Sequence, residues 1–491
     1  MDRLENLGPQ VSQSVAIIGA GWAGLSAAVR LADAGCRVTV FESARQAGGR
    51  ARRVEWDGTL VDNGQHLLVG AYAETLDMLR QVGVDTDKVL QRITMTVAVP
   101  GRLTLRLPRL PAPFHLAFGL LDSNGASLRE KFSAALFMQK LKAARYRLPA
   151  DLPVAEWLDQ HHQQGVLRTH LWEPLCLAAL NTRPAEASAQ VFANVLRDTL
   201  GSTRRATDML LPATDLGQLF PDAALRHLVK KDITLRLATR VTAIRPAARV
   251  AAGNGPGGWH IDTRSNASSA SLGANRCTSH GAVTNTHPSA SPGIPAGDRE
   301  WFNHVIIATA PHHAAALLPT DHAFDATRDS LAGLGSEPIA TIYLQYPASV
   351  RLPHPLIAIN HGAAQWLADR GQLGGPAGLL AHVLSAHGEW EKNDNQALAA
   401  QVHQDTNVIL EKYRVMAPLP VPTNHLVIRE HRATFRCSPG LKRPPGATPW
   451  PSLWLAGDYV ASDYPGTLES AVRSGNSAAL AILTSPGQQG D

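Results

Sequence analysis

Apolar and polar positions follow two rhythms along this chain, and the switches between them outline its elements. Val15-Ala16-Ile17-Ile18 is an unbroken apolar run, as long as a strand buried on both faces. Leu25, Val29 and Leu31 then recur at helical spacing among small residues up to Gly35, and a β-rich run covers Arg37 to Phe41. Asp57-Gly58 between two β-type runs predicts a hairpin. Residues 72–82 predict an amphipathic helix, and Leu103, Leu105 and Leu107 alternate with Thr104 and Arg106 as on a half-buried strand. Residues 151–230 read as mainly helical. Short β runs return at 233–237, 241–244, 259–263 and 303–310. Those at 340–346, 356–360 and 379–384 predict an antiparallel sheet. A helix over 393–415, a strand over 425–435 and a buried strand at 453–456 complete the reading.

Two segments break the pattern. Residues 265–297 are Ser-, Ala-, Asn-, Gly- and Pro-rich without apolar periodicity, which predicts a disordered surface insertion. Residues 111–121 are strongly apolar but too short to span a bilayer, and basic residues flank them. They suit an interfacial element, the mouth of an apolar tunnel, or a buried helix. Residues 208–217 suggest a second access loop.

Composition narrows the class. A chain of 491 residues, 44% hydrophobic and 18% charged, is globular and long enough for two or three domains. The net charge of +5 permits attraction to anionic lipid but does not single out nucleic acid. No Lys/Arg run has interleaved aromatic residues, so no nucleic-acid partner is expected. The cysteines (Cys36, Cys176, Cys277, Cys437) form no C-x-x-C pair, which fits a reducing compartment and predicts no metal site. The first ten residues lack the apolar core of a secretory signal. A cytoplasmic location follows as the expectation, with peripheral contact to the inner membrane left open.

Chemistry enters at the first strand's end. Gly19, Gly21 and Gly24 stand in G-x-G-x-x-G spacing, with Ala20, Trp22 and Ala23 between them. Gly19 permits the tight turn, Gly21 close approach to a pyrophosphate, and Gly24 close helix packing. The helix N-terminus offers unpaired N–H groups to the phosphates. Glu42, ending the second strand, can accept hydrogen bonds from ribose hydroxyls and would repel a 2′-phosphate. Strand, turn, helix, strand and acid in this order predict a dinucleotide site. Near the C-terminus, Gly457-Asp458 ends a strand, and a small-residue helix follows Thr467 and Leu468.

Gly48-Gly49-Arg50-Ala51-Arg52 after the acid resembles the FAD-binding start of the flavin amine oxidase and carotenoid desaturase superfamily. Within it, the chain resembles the hydroxysqualene dehydroxylases, also called squalene-associated FAD-dependent desaturases. The resemblance is carried by GAGWAGLSAA at 19–28, GGRARR at 48–53, DNGQHLLVGAY at 62–72, LPAPFH at 110–115, PLCLAALNT at 174–182, RATF at 432–435 and AGDYVASDYPGTLESAVRSG at 456–475. It implies an α/β fold of mixed α+β character, with a Rossmann-type FAD-binding domain and an inserted substrate domain. The FAD-binding parts would be 12–100, 231–320 and 436–485. A mainly helical, substrate- or membrane-facing part would be 101–230, and a sheet and helix 321–435. The implied cofactor residues are Gly19, Ala20, Gly21, Trp22, Ala23, Gly24, Glu42, Gly49, Arg50, Val241, Gly457, Asp458, Thr467 and Leu468, with Val241 meeting adenine through its backbone.

The implied reaction is reductive removal of the hydroxyl of hydroxysqualene to give squalene. Partners would be a long apolar isoprenoid, an electron donor the sequence does not name, and other squalene-pathway enzymes. Such a reaction needs a general acid. His66, Asp62 and Glu173 are the candidates, and Asn181, Arg429, His431 and Arg432 are further polar residues near the expected cavity. Two alternatives stay open: a desaturase or amine oxidase running in the oxidative direction, and a non-catalytic prenyl-lipid-binding protein on the same fold. The low aromatic content (5%) disfavours an amine cage, and the intact glycines with Glu42 and Asp458 disfavour loss of the flavin.

Overall fold

The computed structural model describes residues 13–99, 101–247, 257–265, 299–359, 362–412 and 414–485. The first apolar run forms the middle of a five-stranded parallel sheet. In spatial order its strands are Thr234–Arg236, Arg37–Phe41, Ser14–Ile18, His304–Ile307 and Leu453–Leu455. Ile18 lies opposite Phe41 on one side and Ile307 on the other, and Ile307 lies opposite Leu455.

The run is continuous because both faces are covered. Val15 and Ile17 pack with helices Trp22–Asp33, Pro221–Val229 and Leu468–Thr484. Ala16 and Ile18 share a core with Val241, Ile244, Trp259, Ile261 and Phe302. Those residues belong to a three-stranded antiparallel layer of Thr239–Pro246, Trp259–Ser265 and Arg299–Phe302. All five parallel strands end on one edge, where ligands of open α/β sheets bind.

The second sheet is antiparallel. Its order is Leu356–Ala358, Trp366–Asp369, Leu379–Ser385, Glu337–Gln345 and Asn424–Thr434. Alternation along Glu337–Gln345 sends Ala340, Ile342 and Leu344 into a core with Leu398, Val402 and Ile409 of helix Asn395–Lys412. Ile339, Thr341 and Tyr343 take the opposite face. The hairpin of Arg53–Trp56 and Thr59–Asp62 turns at Asp57 and Gly58, both at positive φ. Its end meets the sheet where the Tyr343 hydroxyl donates to the Asp62 carbonyl at 3.0 Å.

The helical part packs Phe137, Trp157, Trp172 and Phe192 into one buried aromatic cluster. Helix Leu128–Ala143 opens with Ser127 and Glu130 capping each other. Leu103, Leu105 and Leu107 are buried, as their alternation predicts.

Residues 208–212 depart from the expected access loop. Met209–Pro212 is a fully buried strand paired with Leu68–Val69 and Leu90–Ile93. Asp208 is buried between Arg92 and Arg204, and Asp215 caps the short helix Leu216–Leu219. Its acids satisfy local cations and N–H groups rather than mark an opening. Of the expected insertion 265–297, only Ser265 belongs to the described residues.

Candidate active site

At the sheet's ligand-binding edge, the glycines separate into three jobs. Gly19 leaves the first strand at φ +109°, and a Cβ there would lie 2.6 Å from the Ala308 carbonyl oxygen. A Cβ on Gly24 would lie 1.9 Å from the Gly19 carbonyl oxygen, so the helix packs this closely only on glycine. A Cβ on Gly21 would meet only the Gly49 Cα, at 4.0 Å, leaving two bare backbone segments facing each other. Gly48 N–H donates to the Ala20 carbonyl at 2.8 Å and fixes the second loop against the first. Glu42 accepts from Ala20 N–H at 2.9 Å and Ala44 N–H at 2.8 Å, which orients its carboxylate.

The C-terminal segment supplies the opposite wall. Gly457 has φ +155°, and a Cβ there would strike the Tyr459 ring at 2.4 Å. Asp458 is buried and accepts from Arg50 Nη2 at 2.5 Å. Thr467 caps helix Leu468–Thr484 by accepting from Ser470 N–H at 3.2 Å, and leaves neighbouring N–H groups unused. Gly475 lies against the first helix, so close that a Cβ would be 2.1 Å from the Ala23 carbonyl oxygen. The N-terminal turn of the first helix is thereby packed against the middle of the last.

Most of these residues line a cavity of about 1040 Å³. Of the fourteen residues expected at the cofactor, Gly19, Gly21, Trp22, Ala23, Glu42, Gly49, Arg50, Val241, Gly457, Asp458, Thr467 and Leu468 line it. Ala20 and Gly24 do not, because their roles are internal to the turn. Val241 sits at a β-bulge, where the register of its strand shifts by one residue and frees backbone from the ladder. Arg50 is held by Asp458 and the Ala433 carbonyl, and so acts as a tie between segments rather than as a free phosphate ligand. This cradle of bare glycine backbone, helix N-termini at Trp22 and Leu468, and the Glu42 carboxylate fits FAD.

Beyond the cradle, the same cavity becomes apolar. Leu175, Ala178 and Ala179 line it from helix Glu173–Leu180, and Ile339, Leu356, Trp366 and Val383 line it from the antiparallel sheet. Asn181 also faces it, but its side chain is committed. It donates to the Thr434 hydroxyl at 3.0 Å and accepts from Ala386 N–H at 2.8 Å.

The three general-acid candidates separate here. His66 lines the cavity, and its Nδ1 lies 2.7 Å from the Gly64 carbonyl. Burial lowers its pKa, the nearby Arg50 charge adds to that, and the Gly64 carbonyl opposes it. A neutral ring donating from Nδ1 leaves Nε2 as an acceptor. Asp62 is absent from the lining. It is fully buried, accepts from Leu216 N–H at 2.7 Å and lies 3.7 Å from Arg370. Burial pushes its pKa up to about 6, against the pull of Arg370. Glu173 is also absent from the lining, and pairs with Arg168 at 2.8 Å.

Glu430 was missed from sequence. It lies opposite Ile339 in the antiparallel ladder, on the cavity face of strand Asn424–Thr434. It accepts from Arg432 N–H at 3.3 Å and forms no ion pair among the described residues, although its charge reaches Arg50. Its neighbour Arg429 points the other way, bonding the Asn393 carbonyl at 2.7 Å and lying over the Trp390 ring. The period-2 rule separates these neighbours once the register is known.

This fold and cradle define an FAD-dependent oxidoreductase. The chain belongs to the flavin containing amine oxidoreductase family, whose model matches residues 22–269 and 284–483. Among its relatives, hydroxysqualene dehydroxylase of Rhodopseudomonas palustris is 27% identical over 487 residues, covering 96% of this chain and 99% of that protein. Hydroxysqualene dehydroxylase of Zymomonas mobilis is 26% identical over 483 residues, covering 95% and 98%. Zeta-carotene desaturase of a Synechocystis species is 25% identical over 511 residues, covering 96% and 97%. Among solved structures, a putrescine oxidase triple mutant aligns with TM-score 0.66 at 14% identity, covering 96% of this chain and 99% of that one. Cyclohexylamine oxidase from Brevibacterium oxydans aligns with TM-score 0.63 at 16% identity, covering 96% and 99%. These two share the fold. FAD is the cofactor of this enzyme.

Proposed function

We propose that this enzyme removes the hydroxyl of a long apolar isoprenoid alcohol of the hydroxysqualene type, replacing C–O by C–H. The observation that carries this reading is the continuity of one cavity from the FAD cradle to an apolar chamber bearing a carboxylate, Glu430. The hydroxysqualene dehydroxylase relatives, similar over nearly their whole length, support the same substrate class.

In this reading the substrate's hydroxyl gains a proton and leaves as water, breaking the C–O bond, and the carbon it leaves gains a hydride. Bound, reduced FAD supplies that hydride. The chain's own residues do the rest. Glu430 delivers the proton to the hydroxyl and, as a carboxylate, stabilises the positive charge left behind. His66, held neutral by its surroundings, is suited to accept a hydrogen bond and not to give the proton away. Leu175, Ala178, Val383 and Trp366 keep water from the cation. Asp62 and Glu173 act away from the chemistry, in the hairpin junction and in a surface ion pair.

The carotenoid desaturase relatives favour a second reading, oxidation of a polyene in the same chamber. Anaerobic incubation of the reduced protein with hydroxysqualene, followed by product analysis, decides between them. Squalene with one equivalent of oxidised flavin is the expected result. Absence of squalene, with oxidation of a phytoene-like polyene by the oxidised protein, sinks the proposal.

A further inference from the structure

Helices Phe114–Asp122 and Leu128–Ala143 carry apolar stripes that no other part of the described chain covers. Phe114, Phe118 and Leu121 are 55%, 52% and 61% exposed, and Leu128, Phe132 and Leu136 are 77%, 73% and 41% exposed. Spacings of three and four place each set along one side of its helix. The opposite sides, with Leu120 on one helix and Ala134, Phe137 and Leu141 on the other, enter a single apolar core. Both stripes therefore look outward from the same body. Of the twelve exposed large apolar side chains among the described residues, these are six, so the exposure is concentrated rather than scattered.

Charge is concentrated in the same place. Residues 101–147 hold nine basic side chains: Arg102, Arg106, Arg109, Arg129, Lys131, Lys140, Lys142, Arg145 and Arg147. They hold two acids, Asp122 and Glu130, so nine minus two gives +7, more than the +5 of the whole chain. None of the nine is in an ion pair among the described residues. Glu130 is already spent on the Ser127 and Val166 N–H groups.

We propose that this two-helix face docks on an anionic lipid bilayer. The phenylalanines and leucines enter the acyl boundary, and the cations other than Lys131, which donates to the Leu121 and Ser123 carbonyls, meet the headgroups. The cations flank both helices instead of converging on one pocket, which suits a continuous charged surface better than a shaped protein partner. No helix among the described residues is long and apolar enough to cross a membrane, so this contact is made from one side.

Vesicle flotation of the purified holoprotein tests this without turnover, so its outcome is independent of the reaction assignment. The wild type is expected to float with vesicles of phosphatidylglycerol and phosphatidylcholine, weakly with phosphatidylcholine alone, and less in about 0.5 M salt. The double variants Phe118→Asp/Phe132→Asp and Arg129→Glu/Lys140→Glu should each lower the floated fraction roughly fivefold or more. Their flavin absorbance and circular dichroism should match wild type, and Leu480→Asp, an exposed apolar site elsewhere, should float normally. The proposal fails if wild type does not float, or if both double variants float like wild type. It fails equally if Phe118→Asp/Phe132→Asp only abolishes a concentration-dependent dimer that never binds vesicles.

Discussion

Arg50 and Asp458, 408 positions apart, form a charge-assisted hydrogen bond of 2.5 Å at the wall of the FAD cavity. The Asp458 side chain is 8% exposed and that of Arg50 37% exposed, so only one partner is fully withdrawn from water. With a second Arg50 N–H on the Ala433 carbonyl, the guanidinium joins the second loop, the antiparallel sheet and the C-terminal strand end. A bond of this kind is worth about 1.5–3 kcal/mol, and solvent on the Arg50 side favours the lower half of that range. Arg50→Ala is therefore expected to weaken FAD retention roughly tenfold to thirtyfold. Flavin absorbance after dialysis, titrated back with FAD, measures this. Full retention would show that the tie serves something other than the cofactor.

Gly475 gives a steric prediction. Its missing Cβ lets the last helix lie on the Ala23 carbonyl, and alanine would intrude to 2.1 Å. Overpacking of this kind costs about 1–3 kcal/mol. Gly475→Ala should lower the melting temperature and also loosen FAD, because the last helix would be pushed off the N-terminal turn of the first, where Ala23 lines the cavity. Gly440→Ala, where φ is +68° but nothing lies within 4 Å, is the comparison, giving backbone strain without a clash. A Gly475→Ala protein as stable as wild type would mean that the helices slide freely.

Glu430 and His66 should separate in kinetics. Loss of a general acid typically costs about 10²–10⁴-fold in rate. Glu430→Gln is expected to lower kcat on hydroxysqualene within that range and leave the bound-flavin spectrum unchanged. His66→Gln keeps an acceptor in the cavity and should cost less than about tenfold. The reverse order would assign the proton to His66.

Asp62 makes stability depend on pH. Folding raises its pKa from the unfolded value to about 6, since burial disfavours the charge more than Arg370 rescues it. Its contribution is thus fully present below about pH 4 and is lost as pH rises through about 6, to a limit of about 3 kcal/mol. Asp62→Asn removes that titration. Wild type should lose stability relative to the variant between about pH 4 and pH 7, whatever the constant offset from the changed Arg370 contact. Parallel stability curves in urea across this range would contradict the burial argument.

Most of the fold was legible where one physical cause acts alone. Val15 to Ile18 has to be apolar throughout because both faces are covered, and Gly19, Gly21 and Gly24 each answer to a separate steric demand. The cavity chemistry was harder to read. Glu430 sits in a strand with polar neighbours on both sides, and only the pairing with Ile339 tells which of them faces inward. Asp62 and Glu173 looked free in sequence because their partners, Leu216 and Arg370 for one and Arg168 for the other, are set by tertiary contacts. Residues 208–212 misled for the same reason: the polar Asp208 belongs to buried ion pairs beside a core strand.

The side-by-side packing of the first and last helices at Ala23 and Gly475 also bears on how the protein is made. The nucleotide half of the cradle emerges from the ribosome early, but its opposite wall is not synthesised until residues 453–484. A nascent chain stalled anywhere before them has a G-x-G-x-x-G turn with no facing helix. A closed FAD cradle therefore requires that residues 453–484 have been made and docked on the first helix, so bound flavin reports chains in which these two distant segments have met.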